Sequence, residues 1–386
     1  MYYAFISDGK LFIRFDDGKT REITSKFANE KTDDAQRTKN LHSWKSEVQG
    51  NNPYFSQVSI WGGQAAARPF TIFRFMSVMA AGSDSLYYLI TNGLVTGLFK
   101  YNINNNEELR LFHKTEFNNI GISYSEKERK FVAARIMEDG SSDLELLDSD
   151  GRSISFITEG DSQDSYPSFS NYQNNEVLYQ AAGIARDDSG LVAAYGPQAV
   201  YKVNIETGNM EELLQHDKFD YLLPRNDSEG NLYCIRRPYS PPGFISPVKS
   251  VLNILTFPFR FVFAIFRFLE AFTKLFTEKP FKPAGPQVTA GIENKYVRVL
   301  GQTIDLAKLS KKSAFRNEPS LVPRSWELIK VAKEGNIQVI AHNVSSYFID
   351  QSGQVHITNG FRISKLDQGR ISFVCRHKLI ENLQVG

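Results

Sequence analysis

The chain has 386 residues, of which 41% are hydrophobic and 13% aromatic, and its formal net charge is +2. This composition excludes an intrinsically disordered protein, and the presence of only two cysteines excludes a small disulfide-stapled domain. The length allows either one large β domain or two smaller domains.

The first residues predict three short β-strands, with the sequences YYAFIS, KLFIRF and TREIT. Apolar residues alternate here from the start instead of following a basic segment, so we interpret them as strands and not as a secretory signal. Cys234 and Cys375 give no disulfide pattern, which favours a reducing, cytoplasmic location.

Residues 27–68 separate this group of strands from the next and do not alternate. The segment begins as a polar, charged stretch and continues with aromatic residues. Two interpretations stay open, a mobile loop and an aromatic surface for a partner. The residues that would form that surface are Trp44, Tyr54, Phe55 and Trp61.

Short strands then recur along the chain, and a tight polar turn joins the last two strands of each group. Alternating residues bounded by Gly, Asn and Asp are typical of β-hairpins. The turns are DDGK at 16–19, NNNE at 104–107, DSDG at 148–151, ETGN at 206–209, KEGN at 333–336 and DQGR at 367–370. Six such hairpins, each preceded by two strands, predict an all-β protein with six four-stranded blades.

The fullest copy of the repeat covers residues 164–216, with the strands SYPSFS, EVLYQAAG, AVYKVNI and MEELLQ. It resembles the WD40-like repeat of TolB-type propellers, which starts with Pro-x-Phe-Ser and ends in a hairpin. The resemblance covers most of the chain and implies a fold, not a function.

The predicted domain is therefore a single six-bladed β-propeller spanning residues 1–386. Its unmatched C-terminal strand, KLIENLQV at 378–385, completes the N-terminal blade and closes the ring, which removes an exposed sheet edge. The predicted blades are 2–26 with 378–385, 69–114, 119–159, 164–216, 219–237 with 323–343, and 345–375.

Three insertions, 27–68, 181–197 and 238–322, are predicted to emerge on one face of the ring. In an up-and-down blade of four strands, the connection from the second to the third strand leaves on the same side as the connection from the fourth strand to the next blade. Loops on a rigid scaffold commonly carry function. Charged residues of this face would bind a peptide or an acidic partner, or would form a solvated ion-pair cluster. They are Arg186, Asp187, Asp188, Arg236 and Arg237, and Trp44 and Trp61 are grouped with them as partner-binding residues.

The third insertion contains FPFRFVFAIFRFLEAFTKLF at 257–276, within a predicted helix over 248–278. Its polar residues recur at a period near 3.5 and form one narrow stripe. Residues 248–316 contain twelve Lys or Arg and four Asp or Glu, a net charge of +8. The residues predicted to meet a membrane are Phe257, Phe259, Arg260, Phe261, Phe263, Phe266, Arg267, Phe268, Phe272, Lys274 and Phe276.

Four charged residues within the twenty residues 257–276 argue against a membrane span, because each costs roughly 2.5–3.5 kcal/mol near the bilayer centre. A wide apolar arc with a basic stripe favours a helix lying in the plane of anionic headgroups. The same helix would also suit packing against its own propeller, a homodimer, or the groove of a partner protein.

The sequence contains no GxSxG, HExxH, paired CxxC, P-loop or GxGxxG motif, and the histidines are scattered singly. A metal in a propeller channel would be held by Asn118, Asn119, Asp220, Glu381 or Asn382. We therefore expect a non-enzymatic scaffold without cofactors, peripheral to the cytoplasmic face of a membrane and bound to a protein or peptide. A nucleic-acid partner is not expected. The alternatives are a propeller hydrolase or lactonase with a channel metal, and a soluble homo-oligomer.

Overall fold

The computed structural model describes residues 1–34, 37, 73–115, 117–240, 296–305, 319–367 and 369–386. They form 27 β-strands, and residues 26–34 form a helix, α1. Nearly all of them belong to one compact unit, Met1–Tyr239 with Val297–Gly386. The second unit, Ser240–Tyr296, lies outside the described residues except at its two ends.

The first sheet joins the two ends of the chain. Its strands are β1 (Tyr2–Ser7), β2 (Lys10–Phe15), β3 (Thr20–Ile23) and β27 (Ile380–Val385), in the order β27-β1-β2-β3. The backbones of Tyr2 and Gly386 exchange two hydrogen bonds, of 2.7 and 3.0 Å. The predicted closure by the C-terminal strand is confirmed.

The second sheet, in the order β4-β5-β6-β7, is a simple antiparallel meander. Its strands are β4 (Arg74–Ala81), β5 (Ser85–Thr91), β6 (Val95–Asn102) and β7 (Glu107–Thr115). Helix α1 begins directly after β3, where the sequence predicted a loop or an aromatic surface. That prediction is wrong for the described start of the insertion, and Trp44 and Trp61 lie outside the described residues.

The next two meanders share one nine-stranded sheet. Its strands are β8 (Asn119–Ser125), β9 (Lys130–Ile136), β10 (Ser142–Leu147), β11 (Ser153–Phe156), β12 (Ser162–Phe169), β13 (Glu176–Arg186), β14 (Val192–Tyr195), β15 (Ala199–Asn204) and β16 (Met210–Leu214). A single parallel pair, Ser142 with Gln163, joins β10 to β12. Because of this junction, strand pairing alone does not confirm the predicted count of six blades.

The second insertion, 181–197, proves to be a hairpin. Strand β13 continues to Arg186, and β14 returns along it. These residues were predicted to be an insertion between two strands, because they lack a clear alternation of apolar residues.

The last two meanders are separate four-stranded sheets. One contains β17 (Phe219–Asn226), β18 (Leu232–Pro238), β21 (Glu327–Val331) and β22 (Ile337–His342). The other contains β23 (Ser346–Ile349), β24 (Val355–Thr358), β25 (Arg362–Asp367) and β26 (Arg370–Arg376). The third insertion lies between β18 and β21, as predicted, and includes an additional hairpin, β19 (Tyr296–Val299) and β20 (Gln302–Asp305).

Each of the six predicted polar turns joins the third and fourth strands of a meander. The first strands of the meanders, called here the inner strands, are β27, β4, β8, β12, β17 and β23. Each inner strand contacts the next, and β23 contacts β27, so that the cycle is closed.

Hydrophobic clusters fill the spaces between neighbouring meanders. Among the described residues there are six clusters, and each takes residues from two adjacent meanders. Because successive side chains of a strand point to opposite faces, β1 contributes residues to two clusters. Tyr2 packs towards β4–β7, whereas its neighbour Tyr3 packs towards β23–β26. Burial of both faces explains why these strands carry apolar residues on both sides.

The predicted Phe-rich helix over 248–278 lies outside the described residues, and so do all the residues predicted to meet a membrane. Within the described part of the chain, no helix combines the length and the apolar character that a membrane crossing requires.

Candidate functional site

Every inner strand except β23 is interrupted by a β-bulge or a similar irregularity in its pairing with the second strand of the meander. Three of these bulges contain a residue with a positive φ, namely Gly121 (107°), Tyr166 (48°) and Leu223 (53°). A proline follows both Tyr166 and Leu223, and since proline has no N–H it cannot continue the ladder. Bulges of this kind bend a strand and redirect the side chains that follow it.

The bulge at Leu223 is held from both neighbouring meanders. The Leu223 N–H donates to the Gln180 side-chain oxygen on β13 at 2.7 Å. On the other side, the Tyr347 hydroxyl of β23 lies 2.6 Å from the Leu223 carbonyl and 2.7 Å from that of Tyr233. These contacts fix the point at which β17 resumes, at Arg225.

Arg225 is a cation without a carboxylate partner among the described residues. Its guanidinium carbon lies 5.0 Å from the centre of the Phe348 ring. Burial lowers the pKa of the Arg225 guanidinium, but an arginine stays charged at physiological pH. The side chain is enclosed by protein and yet accessible, because it lines a cavity.

This central cavity has a volume of about 560 Å³. Every inner strand contributes to its wall. One representative from each strand is Gln384 (β27), Met79 (β4), Ile122 (β8), Ser168 (β12), Arg225 (β17) and Phe348 (β23).

The rim of the central cavity consists of turns between first and second strands. Its polar side chains include Glu126, Lys127, Glu128, Asn171, Asp350 and Ser352. Turns between the first and second strands lie at the end of the meanders opposite to the three insertions. The cavity is therefore not on the face that sequence reasoning selected.

The carboxylate of Asp350 at the rim is held by a buried network. It accepts hydrogen bonds from the backbone N–H groups of Ser352 and Gln354 and lies 3.1 Å from His356 Nε2. Burial acts to raise the pKa of Asp350, but the hydrogen bonds from Ser352 and His356 outweigh it and lower that pKa. Burial lowers the pKa of His356, with Asp350 opposing the shift. Asp350 therefore carries a negative charge at neutral pH.

The Glu128 carboxylate, also at the rim, accepts a hydrogen bond from the Asn175 N–H at 2.9 Å through one oxygen. Its other oxygen is buried without a hydrogen-bond partner. Among the described residues, no group of three or more His, Cys, Asp or Glu side chains is placed to hold a metal ion.

The three arginines predicted on the inserted face form ion pairs within the protein, whereas the two aspartates form none with the described residues. Arg186 lies 2.6 Å from Asp161 and 2.9 Å from Asp139. Asp187 accepts hydrogen bonds from Ser189 and Leu191 and thereby closes the β13–β14 turn, and Asp188 is exposed.

Arg236 and Arg237 are engaged in the same manner. Arg236 pairs with Glu327 at 2.6 Å. Arg237 pairs with Asp220 at 2.8 Å and lies over the Trp326 ring at 4.9 Å. These contacts match the ion-pair interpretation of the patch, and its partner-binding role stays a prediction.

Arg225 was missed, although the sequence carries a signal for it. Pro167 and Pro224 occupy equivalent places after the two bulges, so that Ser168 and Arg225 correspond. An alignment of Leu223-Pro224-Arg225 with Tyr166-Pro167-Ser168 would have shown an arginine at the position where the fullest repeat has a serine. The cavity itself depends on the ring closing and has no local signature.

Comparisons with known proteins agree at the level of the fold. No family model and no curated protein matches the sequence. TolB from Acinetobacter baumannii is matched with a TM-score of 0.50 and 9% identity, over 99% of this chain and 65% of that one. A chain of a nidogen–laminin complex is matched with a TM-score of 0.50 and 7% identity, over 99% and 97%.

A prolyl endopeptidase structure is also matched, with a TM-score of 0.43 and 8% identity over 97% of this chain and 48% of that one. The match to TolB covers only 65% of the length of that structure. The fold is a TolB-like β-propeller, and identities this low show the fold alone.

Proposed function

We propose that this chain is a non-enzymatic propeller scaffold that binds a segment of a partner protein in the central cavity. The observation that carries the proposal is the cation Arg225, which has no carboxylate partner among the described residues and lies in a cavity that all six inner strands line. Concave sites with a few convergent polar groups are the usual binding sites of rigid scaffolds. The rim consists of exposed turns, through which an extended segment would enter.

Photo-crosslinking in living cells tests this binding. A photoreactive amino acid replaces Ser352 at the rim, and the control replaces Thr207, an exposed residue of the β15–β16 turn. We expect a discrete crosslinked protein from position 352 and none from position 207. If neither position, or both equally, gives the product, the proposal is wrong.

We also propose that the Phe-rich segment 257–276 attaches the scaffold to an anionic membrane surface. The support is its sequence, which has eight phenylalanines, a basic stripe and a net charge of +8 over 248–316. The segment leaves the fifth meander after Pro238, which pairs with Phe219 at the end of β17 opposite to Arg225.

Vesicle flotation tests the attachment. Wild-type protein should float with anionic vesicles and not with neutral ones, and Phe263→Glu/Phe266→Glu should stay at the bottom of the gradient. Phe373→Glu is the matched control, because Phe373 is an exposed phenylalanine of β26, 61% accessible. A folded wild-type protein that never floats would contradict membrane attachment, and a doubled mass would then indicate a homodimer.

A further inference from the structure

Arg225 differs from four other arginines of the protein that are buried or partly buried. Carboxylates lie within 2.9 Å of the side-chain nitrogens of Arg135, Arg186, Arg236 and Arg237. No such partner faces Arg225 among the described residues. An enclosed charge without a counter-ion is unfavourable, and an anion supplied by a ligand would offset that cost.

The position of this guanidinium is fixed before any ligand arrives. The bulge at Leu223 is bonded to Gln180 on one side and to Tyr347 on the other. The Phe348 ring lies 5.0 Å beneath the cation and belongs to the same inner strand as Tyr347. A cation placed over an aromatic face keeps its N–H donors for an oxyanion, and a prepositioned donor loses less entropy on binding.

Gln384 supplies a second, independent observation. It lies on the inner strand β27, is 8% exposed and lines the central cavity. Its side-chain amide makes no hydrogen bond with the described residues. A buried amide without a partner is costly in a closed core, whereas at a cavity wall it can bind a ligand.

The charge at the rim has the opposite sign. Glu126, Glu128 and Asp350 contribute carboxylates. The exposed cations at the rim are Lys127 and the Met1 ammonium group, and the ammonium is already paired with Asp16 at 3.1 Å. A ligand that enters between these carboxylates is favoured if the part at the rim is cationic and the part at Arg225 is anionic. A singly charged group fits one central cation better than a doubly charged phosphate does, because the rim repels excess negative charge.

We infer that Arg225 binds the C-terminal carboxylate of a partner segment whose preceding residues are basic. The inference rests on the proposed partner binding in the central cavity and specifies its chemistry. Arg225 forms the charged hydrogen bonds to the terminal carboxylate, and Gln384 donates through its amide. Glu126, Glu128 and Asp350 lie beside the lysines or arginines that precede the terminus.

Fluorescence anisotropy with two labelled peptides tests the inference. Both are eight residues long and end in Ser-Lys-Lys-Ser, one with a free carboxylate and one as the C-terminal amide. The free acid should bind wild-type protein at least ten-fold more tightly. Arg225→Met should remove the difference between the two peptides, and Arg225→Lys should keep part of it. Arg152→Met, at an exposed turn, is the matched control and should bind as wild type does.

The wild-type comparison decides the matter even if Arg225→Met fails to fold. Equal binding of acid and amide, or binding of neither, would overturn the inference. Displacement of the peptide by inorganic phosphate more readily than by acetate would also overturn it, since the site would then be a phosphate site. The crosslinking experiment separates the two proposals. If crosslinking from position 352 persists in both Arg225→Lys and Arg225→Met, the partner still binds in the cavity and the scaffold proposal stands, but the carboxylate inference fails.

Discussion

Gly121 lies so close to Tyr166 that a Cβ atom added to the glycine would be 2.9 Å from the Tyr166 Cα. The two residues sit in the bulges of β8 and β12, on adjacent inner strands. Backbone therefore meets backbone at this point of the ring, and the φ of 107° at Gly121 excludes other residues as well.

Gly121→Ala should lower the free energy of unfolding by about 1–3 kcal/mol, through both the strained φ and the contact with Tyr166. Chemical denaturation measures the change. Gly93→Ala separates the two causes, because Gly93 has a φ of 85° and no atom within 4 Å of its added Cβ. Equal losses in the two variants would mean that the close contact contributes nothing.

Removal of residues 377–386 should abolish cooperative unfolding, because β27 is both the partner of β1 and a neighbour of β4 and β23. Without it, β1 presents an open edge. Thermal denaturation followed by circular dichroism would show a broad, early transition or aggregation.

A point variant tests the same strand more gently. Leu383→Ala removes a buried side chain shared with Tyr3 and Phe5 and should cost about 2–5 kcal/mol. Glu381→Gln, on the same strand, should not lower stability, because burial raises the pKa of the Glu381 carboxyl and the substitution removes the charge that burial disfavours. A Leu383→Ala protein as stable as wild type would show that β27 does not hold the ring.

Asp143 should make the protein less stable as the pH rises. Burial, with the nearby carboxylates of Asp164, Glu159 and Asp139, raises the pKa of Asp143 from 3.8 to about 6. The folded protein thus holds a proton that the unfolded chain releases, and stability is lost between about pH 4 and pH 6. Asp143→Asn should be about 1–2 kcal/mol more stable than wild type at pH 7.5, and the gain should shrink at pH 4.

The opposite dependence is expected at Asp187. Hydrogen bonds from Ser189 and Leu191 lower the pKa of that carboxyl. Its contribution is present at neutral pH and is lost as the pH falls below the ordinary value of 3.8. Urea denaturation of Asp143→Asn and Asp187→Asn from pH 3 to pH 8, each compared with wild type, should give stability differences that change with pH in opposite directions. Parallel curves would disprove the assignment.

Glu108 should hold the start of helix α1. Its carboxylate accepts hydrogen bonds from the N–H groups of Lys26 and Phe27, the Ser25 hydroxyl and the Tyr88 hydroxyl. A carboxylate at a helix N-terminus is also favoured by the helix dipole. Glu108→Gln should lower stability by about 1 kcal/mol and speed hydrogen exchange over residues 26–34.

Glu107→Gln is the control for that experiment, since the adjacent Glu107 side chain is exposed and bonds only locally to Asn105. If both variants exchange alike over residues 26–34, the helix does not depend on Glu108.

The strands and their hairpins could be predicted because alternation and turn chemistry are local. The closure of the ring was predictable too, since KLIENLQV at 378–385 had no neighbour within its own repeat. Helix α1 was not, because its N-terminus is bonded to Glu108, 82 residues away from Lys26. The shared sheet rests on one backbone pair, Ser142 with Gln163, which leaves no mark on the sequence.

The candidate site was less predictable than the fold. The arginines chosen from the sequence pair with carboxylates far along the chain, as Arg236 does with Glu327, 91 residues later. Arginines that the sequence suggested would be free to bind a partner therefore form ion pairs within the protein. Arg225 resembled an ordinary strand residue, because its lack of a counter-ion is visible only when all the neighbouring strands are in position.

Closure through β27 has a consequence for how the protein is made. Its partner β1 leaves the ribosome before the other described strands, whereas β27 follows all of them. At about 5–20 residues per second, translating 386 residues takes roughly 20–80 s. Throughout that interval β1 can pair with β2, but its other edge stays open because only β27 covers it. A ribosome stalled before residue 380 would therefore carry an incomplete propeller with an exposed, aggregation-prone sheet edge. Chaperones that bind nascent chains would be needed most before β27 is synthesised.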